Sequence, residues 1–190
     1  TTDLVADAAR WWGGADAAFV SSKLVKQELE RFHVQEIELL DVLPDLSRDL
    51  AKVTIQGSTL RRLVFDVVSD VLDLHVSASL SVEWYQIQGG ATELATVTVD
   101  GVEVADDDMF EIVTDDVAVF NATSLRSSTT SLPLGVQAYG ATAAYLRAFH
   151  NSTATALDPA SEYADERIRR LEDVAVVNVA FLCGDSVSRL

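Results

Sequence analysis

The chain is poor in the residues that most directly report chemistry. Its single cysteine, Cys183, can form neither an internal disulfide nor a thiolate metal cage, so cysteine usage says nothing about redox compartment. Only three histidines occur, His33, His75 and His150, far apart in sequence and in no Asp-x-His or Gly-Asn-His string. A two-metal phosphoesterase centre needs clustered His, Asp and Asn ligands, so no such centre is expected here. No Gly-x-Ser-x-Gly elbow is present, which removes the usual serine-nucleophile arrangement. The longest apolar run, Val174 to Cys183, is about half of the ~20 residues of a membrane span and is interrupted by Asn178, so no span is expected.

Positive charge is scarce as well. Of 190 residues, 14 are Lys or Arg and 30 are Asp or Glu, giving 14 − 30 = −16. Such a surplus repels a phosphate backbone and excludes a sequence-independent nucleic-acid binder; anionic lipid is disfavoured for the same reason. Only Lys23, Lys26 and Lys52 are lysines, against eleven arginines, and nineteen of the thirty acids are aspartates. That balance suits a salt-adapted surface, whose melting temperature should rise from dilute buffer to molar KCl as screening relieves self-repulsion. The alternative is an ordinary acidic domain. With 48% apolar residues the chain can still bury a core. It opens on Thr1-Thr2 within a helical pattern, and Met109 is its only methionine, so a piece cut from a longer protein is expected.

Periodicity predicts a helix over residues 3–12 (Leu4, Val5, Ala8, Trp11, Trp12) closed by Gly13-Gly14, then a buried strand at Ala17–Val20 and a polar loop from Ser21 to Lys26. A helix over Gln27–Leu43 stops at Pro44, and a strand covers Leu50–Ile55. Ser58 or Thr59 is expected to cap a helix with buried Leu60, Leu63, Val64, Val67 and Val71, and with Asp66 and Asp70 on its wet face. Val76 to Tyr85 alternates as one half-buried strand, with Ser77 and Ser79 outward. Asp100-Gly101 signals a tight hairpin between Leu94–Val99 and Val102–Val104. Phe110–Thr114 is a strand, Asn121–Ser131 a loop, and a last helix carries Val136, Tyr139, Ala143, Leu146 and Phe149. A charged helical patch at Glu162–Glu172 and a strand at Val174–Leu182 complete an α+β chain, a mixed sheet covered by helices. Residues 1–155 are expected to form the domain, with 156–190 an extension packing on it.

Several strings in this order resemble the C-terminal domain of the 5′-nucleotidase family, which includes UDP-sugar hydrolases and 2′,3′-cyclic nucleotide phosphodiesterases. They are Leu4-Val5-Ala6-Asp7-Ala8, Gly14-Ala15-Asp16-Ala17-Ala18, Asp41-Val42-Leu43-Pro44, Gln56-Gly57-Ser58-Thr59-Leu60, Val97-Thr98-Val99-Asp100-Gly101 and Phe120-Asn121-Ala122-Thr123. The resemblance spans about residues 3–150. It implies the substrate-binding half of a hydrolase of nucleotide catabolism. The N-terminal metallophosphoesterase domain of the same polypeptide would supply a divalent metal pair and the chemistry. No cofactor and no catalytic residue is then expected in this chain, whose ligand would be a nucleotide or related small phosphoester.

Carried over position by position, the resemblance implies four binding residues. Lys26 falls where the family's loop after the first strand, Asn-Gly-Gly-x-Ile-Arg in type, has its arginine; here that loop reads Ser21-Ser22-Lys23-Leu24-Val25-Lys26, so the charge stays but the bidentate fork and the glycines are gone. Leu43-Pro44-Asp45 places a carboxylate where one base-stacking ring would be. Phe120 and Asn121 match the second aromatic string, followed by Ser124-Leu125-Arg126 in place of glycines and aspartate, which makes Arg126 a candidate anion partner. For each there is a plainer reading: Phe120 facing the core, Arg126 and Lys26 solvated, and Asp106-Asp107-Asp108 a solvated turn rather than a cation site. Asn121-Ala122-Thr123 and Asn151-Ser152-Thr153 also fit the glycosylation sequon, compatible with a secreted or cell-surface parent. The rival to a ligand-binding domain is a degenerate structural or interaction module.

Overall fold

A computed structural model describes residues 2–26, 36–44, 48–87, 90–115, 122, 125, 131–150 and 168–170. The chain is α+β: a five-stranded mixed sheet lies between a layer of helices on one face and, on the other, a helix with a second, four-stranded sheet.

Helix α1 (Thr2–Gly13) carries Asp3 in its first turn and Arg10 in its last, the signs that suit the two ends of a helix dipole. It ends as its glycines predict. Gly14 takes a φ of +55°, and the bonds Gly14 N–H to Trp11 O (3.2 Å) and Ala15 N–H to Arg10 O (3.2 Å) satisfy the last carbonyls. The chain then enters β1 (Ala17–Ser21), buried throughout, and a short 3-10 turn at Ser22–Leu24. Helix α2 (Glu36–Val42) stops just before Pro44, and β2 (Asp49–Gln56) leads directly into α3 (Gly57–Val68).

Helix α3 departs from expectation at both ends. Gln56 is its N-cap, with no side-chain capping bond, because the first amides are taken by a neighbouring turn: Gly57 N–H donates to Asp108 O (2.8 Å) and Ser58 N–H to Asp106 O (3.0 Å). A Cβ at Gly57 would lie 1.9 Å from the Ala105 carbonyl oxygen, so only glycine permits this approach. At the other end Asp70, with φ +56°, closes the helix, Val71 N–H returning to Asp66 O (2.9 Å). Val71 is thereby turned into solvent rather than joining the buried stripe, while Asp66 is buried and paired with Arg62 (3.2 Å).

The alternating stretch from Val76 is two strands, β3 (Leu74–Val76) and β4 (Leu80–Gln86), joined by a turn in which Leu80 N–H donates to Ser77 O (3.1 Å). Ser77 and Ser79, expected outward, are buried. Their hydroxyls bond each other (2.9 Å), and Ser77 Oγ accepts from Ala18 N–H (2.9 Å), so the turn is stitched to β1. Strands β5 (Thr92–Val99) and β6 (Val102–Glu103) form the expected hairpin, with Asp100 and Gly101 both at positive φ. On β4 and β5, Tyr85 O–H donates to Glu93 (2.6 Å), and chiefly this bond holds the phenol above its ordinary range.

Strand β7 (Met109–Asp115) is followed, after a stretch outside the described residues, by β8 (Ser131–Gln137) and α4 (Ala138–His150). Val136, expected in the last helix, is extended in β8, an edge strand whose pairing with β2 places Pro133 opposite Ala51. Within the expected helical patch, Ile168–Arg170 is instead a strand, β9, parallel to β4.

In strand order the first sheet reads β3-β1-β7-β2-β8 and the second β6-β5-β4-β9. Alternation along β1 and β7 divides the core. Phe19 and Ile112 face α3 and the second sheet, packing with Leu60, Leu63, Leu80 and Val97; Ala18, Val20 and Val113 face Val5, Ala9, Leu39 and Ala141 of the three other helices. Full burial of each large apolar side chain contributes about 1.5–3 kcal/mol, so both faces of this sheet contribute to its cohesion. No described helix is long and apolar enough to cross a membrane.

Candidate functional site

Strands β1 and β7 are neighbours and parallel, with Ala17 beside Ile112 and Phe19 beside Thr114. Their C-terminal ends, Ser21 and Asp115, therefore lie at the same end of the sheet. Ser21 N–H donates to the Asp115 carboxylate at 2.7 Å, tying the two ends together. From this end leaves the segment Ser21–Lys26, while the residues directly after Asp115 lie outside the described ones. In open parallel α/β sheets ligands bind beyond the carboxyl ends of the strands; here, among the described residues, β1 and β7 are the one parallel pair of a mostly antiparallel sheet.

The loop after β1 is tightly bonded to the protein. Ser22 N–H donates to Asp73 O (3.2 Å), and Ser22 Oγ bonds the Asp73 carboxylate. Lys23 N–H meets Ser21 Oγ (3.3 Å), Val25 N–H returns to Ser22 O (3.1 Å), and Lys26 N–H donates to Val42 O (2.9 Å), fastening the loop to α2. Leu24 is buried in the helical-side core with Leu39, Val42 and Leu43. Lys26 and Lys23 are both exposed. Asp115 is fully buried, and two carboxylates thus border a loop that carries two ammonium groups. A phosphate charge about 4 Å from a carboxylate is opposed by about 4 kcal/mol at an effective dielectric of about 20, less where water intervenes.

Of the four predicted binding residues, Lys26 is placed at this end of the sheet, while Phe120, Asn121 and Arg126 lie outside the described residues, as does Asp45. Two of their neighbours are described. Ala122 and Leu125 are buried against the second-sheet side of the core, joined by Leu125 N–H to Ala122 O (3.0 Å). Ala122 and Leu125 therefore pack on the opposite face of the central sheet from Leu24. Sequence reasoning also missed Asp73 and Asp115: neither belongs to a motif, and only the pairing of β1 with β3 and β7 brings them to the loop.

Among the described residues no group of three or more His, Cys, Asp or Glu side chains could hold a metal ion. His75 is engaged with Asp3 (3.0 Å) at the junction of α1 and β3. These residues do not fit a divalent metal pair.

The model of the 5′-nucleotidase C-terminal domain matches residues 1–128. This chain belongs to that family. Solved structures with the same fold include a 5′-nucleotidase precursor from Thermus thermophilus, at 15% identity over 77% of this chain with a TM-score of 0.68. The NAD nucleotidase of Haemophilus influenzae matches at 10% identity over 77% of the chain with a TM-score of 0.63. A sulfate thiohydrolase from Thermus thermophilus matches at 15% identity over 77%, with a TM-score of 0.55. The 5′-nucleotidase C-terminal-like chain spans only 32%, 30% and 28% of the length of these three structures. No curated protein matches it.

Proposed function

We propose that this domain is the substrate-binding part of a nucleotidase-like metallophosphoesterase acting on nucleotide phosphoesters. An N-terminal domain of the same polypeptide would hold the divalent metal pair and break the ester. The observation that supports the reading is the parallel β1/β7 pair: it sets the loop bearing Lys26 beside Asp115, the last described residue before the part of the sequence that contains Phe120, Asn121 and Arg126. Support comes also from the family of the chain and from solved relatives whose names are nucleotidases.

Calorimetry of the 190-residue chain with adenosine at high salt tests the proposal; saturable heat is expected, and its absence rejects it. Phe120→Ala should weaken that binding about tenfold, which is roughly 1.4 kcal/mol. Adding Mn²⁺ or Zn²⁺ to the chain should release no phosphate from AMP, and clear metal-dependent turnover would overturn the division of labour. A secreted or surface location belongs to the same proposal, one relative of the fold being a precursor. The acidic surface we read as salt adaptation, tested by melting in dilute buffer and in molar KCl.

The rival reading, a structural or interaction module without a ligand, is favoured by one observation: the amides of the loop after β1 are engaged within the protein.

A further inference from the structure

We infer that Asp73 and Asp115 hold the loop after β1 closed to phosphate, so that this loop does not take the phosphate of the substrate. This inference rests on the proposed function and narrows it.

A loop captures phosphate when several of its N–H groups converge on one point and the local charge is positive. The first condition fails here, and two carboxylates weigh against the second. The N–H groups of Ser21, Ser22, Lys23, Val25 and Lys26 are each bonded to an acceptor of the chain itself. The oxygen nearest the Ser21 N–H, where a phosphate oxygen would have to be, is Asp115 Oδ2 at 2.7 Å. The Ser22 hydroxyl, a second donor, is turned to the Asp73 carboxylate, and the Asp73 carbonyl takes the Ser22 amide. Two carboxylates border the loop that carries Lys23 and Lys26, in a chain of net charge −16, and each opposes an incoming anion. Lysine is a strongly hydrated point charge and does not replace the fork of an arginine.

The two carboxylates act through different positions. Asp115 is fully buried and fixes the first amide; Asp73 is exposed and fixes the second residue from outside. Removing the charge at exposed Asp73 leaves the fold largely untouched while weakening its hold on the Ser22 hydroxyl and removing one negative charge beside the loop. The device is one of discrimination and not of catalysis.

The test follows backbone amide resonances of the ¹⁵N-labelled 190-residue chain, titrated separately with inorganic phosphate, adenosine and AMP. In the unaltered protein the amides of Ser21–Lys26 should stay in place with inorganic phosphate, and adenosine and AMP should bind within about threefold of each other. In Asp73→Asn, phosphate should move those amides saturably and AMP should gain about tenfold over adenosine, with adenosine itself unchanged. Asp115→Asn should act in the same direction; if it does not fold, Asp73→Asn carries the test alone. Saturable movement of the loop by phosphate in the unaltered chain, or AMP binding about tenfold tighter than adenosine there, overturns the inference. So does a loop that ignores phosphate in both proteins. If adenosine and AMP both fail to bind, the proposed function falls, and the phosphate titrations alone still decide whether the two aspartates close the loop.

Discussion

The start of α3 and the 3-10 turn after β1 both present backbone N–H groups, and the protein fills them in different ways. At the start of α3 the amides of Gly57 and Ser58 are met by the carbonyls of Asp108 and Asp106. At the loop after β1 the amides of Ser21 and Ser22 are met by the side chain of Asp115 and the carbonyl of Asp73, whose own carboxylate takes the Ser22 hydroxyl. The first junction is backbone against backbone and depends on a missing Cβ. The second is built largely from side chains. A junction of the first kind cannot be retuned without moving the chain, whereas the second can change charge one residue at a time. Drift of ligand preference in a persisting scaffold is therefore expected at the second. The family strings agree: Gln56-Gly57-Ser58-Thr59-Leu60 is retained, while the loop glycines are replaced by Ser22 and Lys23.

The strongest way to break the comparison is Gly57→Ala. With a Cβ 1.9 Å from the Ala105 oxygen, α3 or the 105–108 turn must shift, costing on the order of 3 kcal/mol in denaturant unfolding. A cost below about 1 kcal/mol would show the joint to be pliant, and the contrast would lose its fixed half. Asp115→Asn should cost less, about 2 kcal/mol, because a buried charge-assisted bond to the Ser21 amide becomes a neutral one while an acceptor oxygen is kept. Amide exchange should report this at Ser21 before it appears elsewhere.

Much of the scaffold was legible in the residues. Gly13-Gly14 ends α1 and Asp100-Gly101 turns the β5/β6 hairpin because both signals are local: a positive φ is cheap only for a few residue types. What was not legible depends on partners distant in sequence. Ser77 looks like an outward residue of an alternating strand until Ala18, fifty-nine positions away, donates to it. Ala122 and Leu125 sit in a Ser- and Thr-rich stretch with no period, and only the sheet beneath them shows that they are core. β8 contains Pro133 and Gly135 and reads as anything but a strand; an edge position against β2 accommodates both. For the site, Lys26 could be found from its string, but Asp73 and Asp115, which decide what the loop can hold, could not. Asp70 hid in the same way, since an aspartate that ends a helix in the left-handed region looks like one on its wet face.

The smallest expected effect sharpens the distinction between carboxylates that hold amides and carboxylates that merely pair with charge. Arg10 bonds Asp100 at 2.9 and 3.1 Å on the exposed rim of the hairpin, a geometry as good as that at Asp115 but open to water. Asp100→Asn keeps a residue that tolerates the positive φ of the turn, so only the ion pair is weakened. The loss should be no more than about 0.5 kcal/mol and should vanish in molar salt. Thermal melts of the Asp100→Asn and Asp115→Asn proteins at low and high KCl separate the two cases: salt should erase the difference from the unaltered chain at Asp100 and leave it at Asp115. If the Asp115 difference also disappears in salt, that buried carboxylate acts through general charge rather than through the amide it holds, and the loop after β1 would be no more closed to a phosphate than any other acidic surface of this domain.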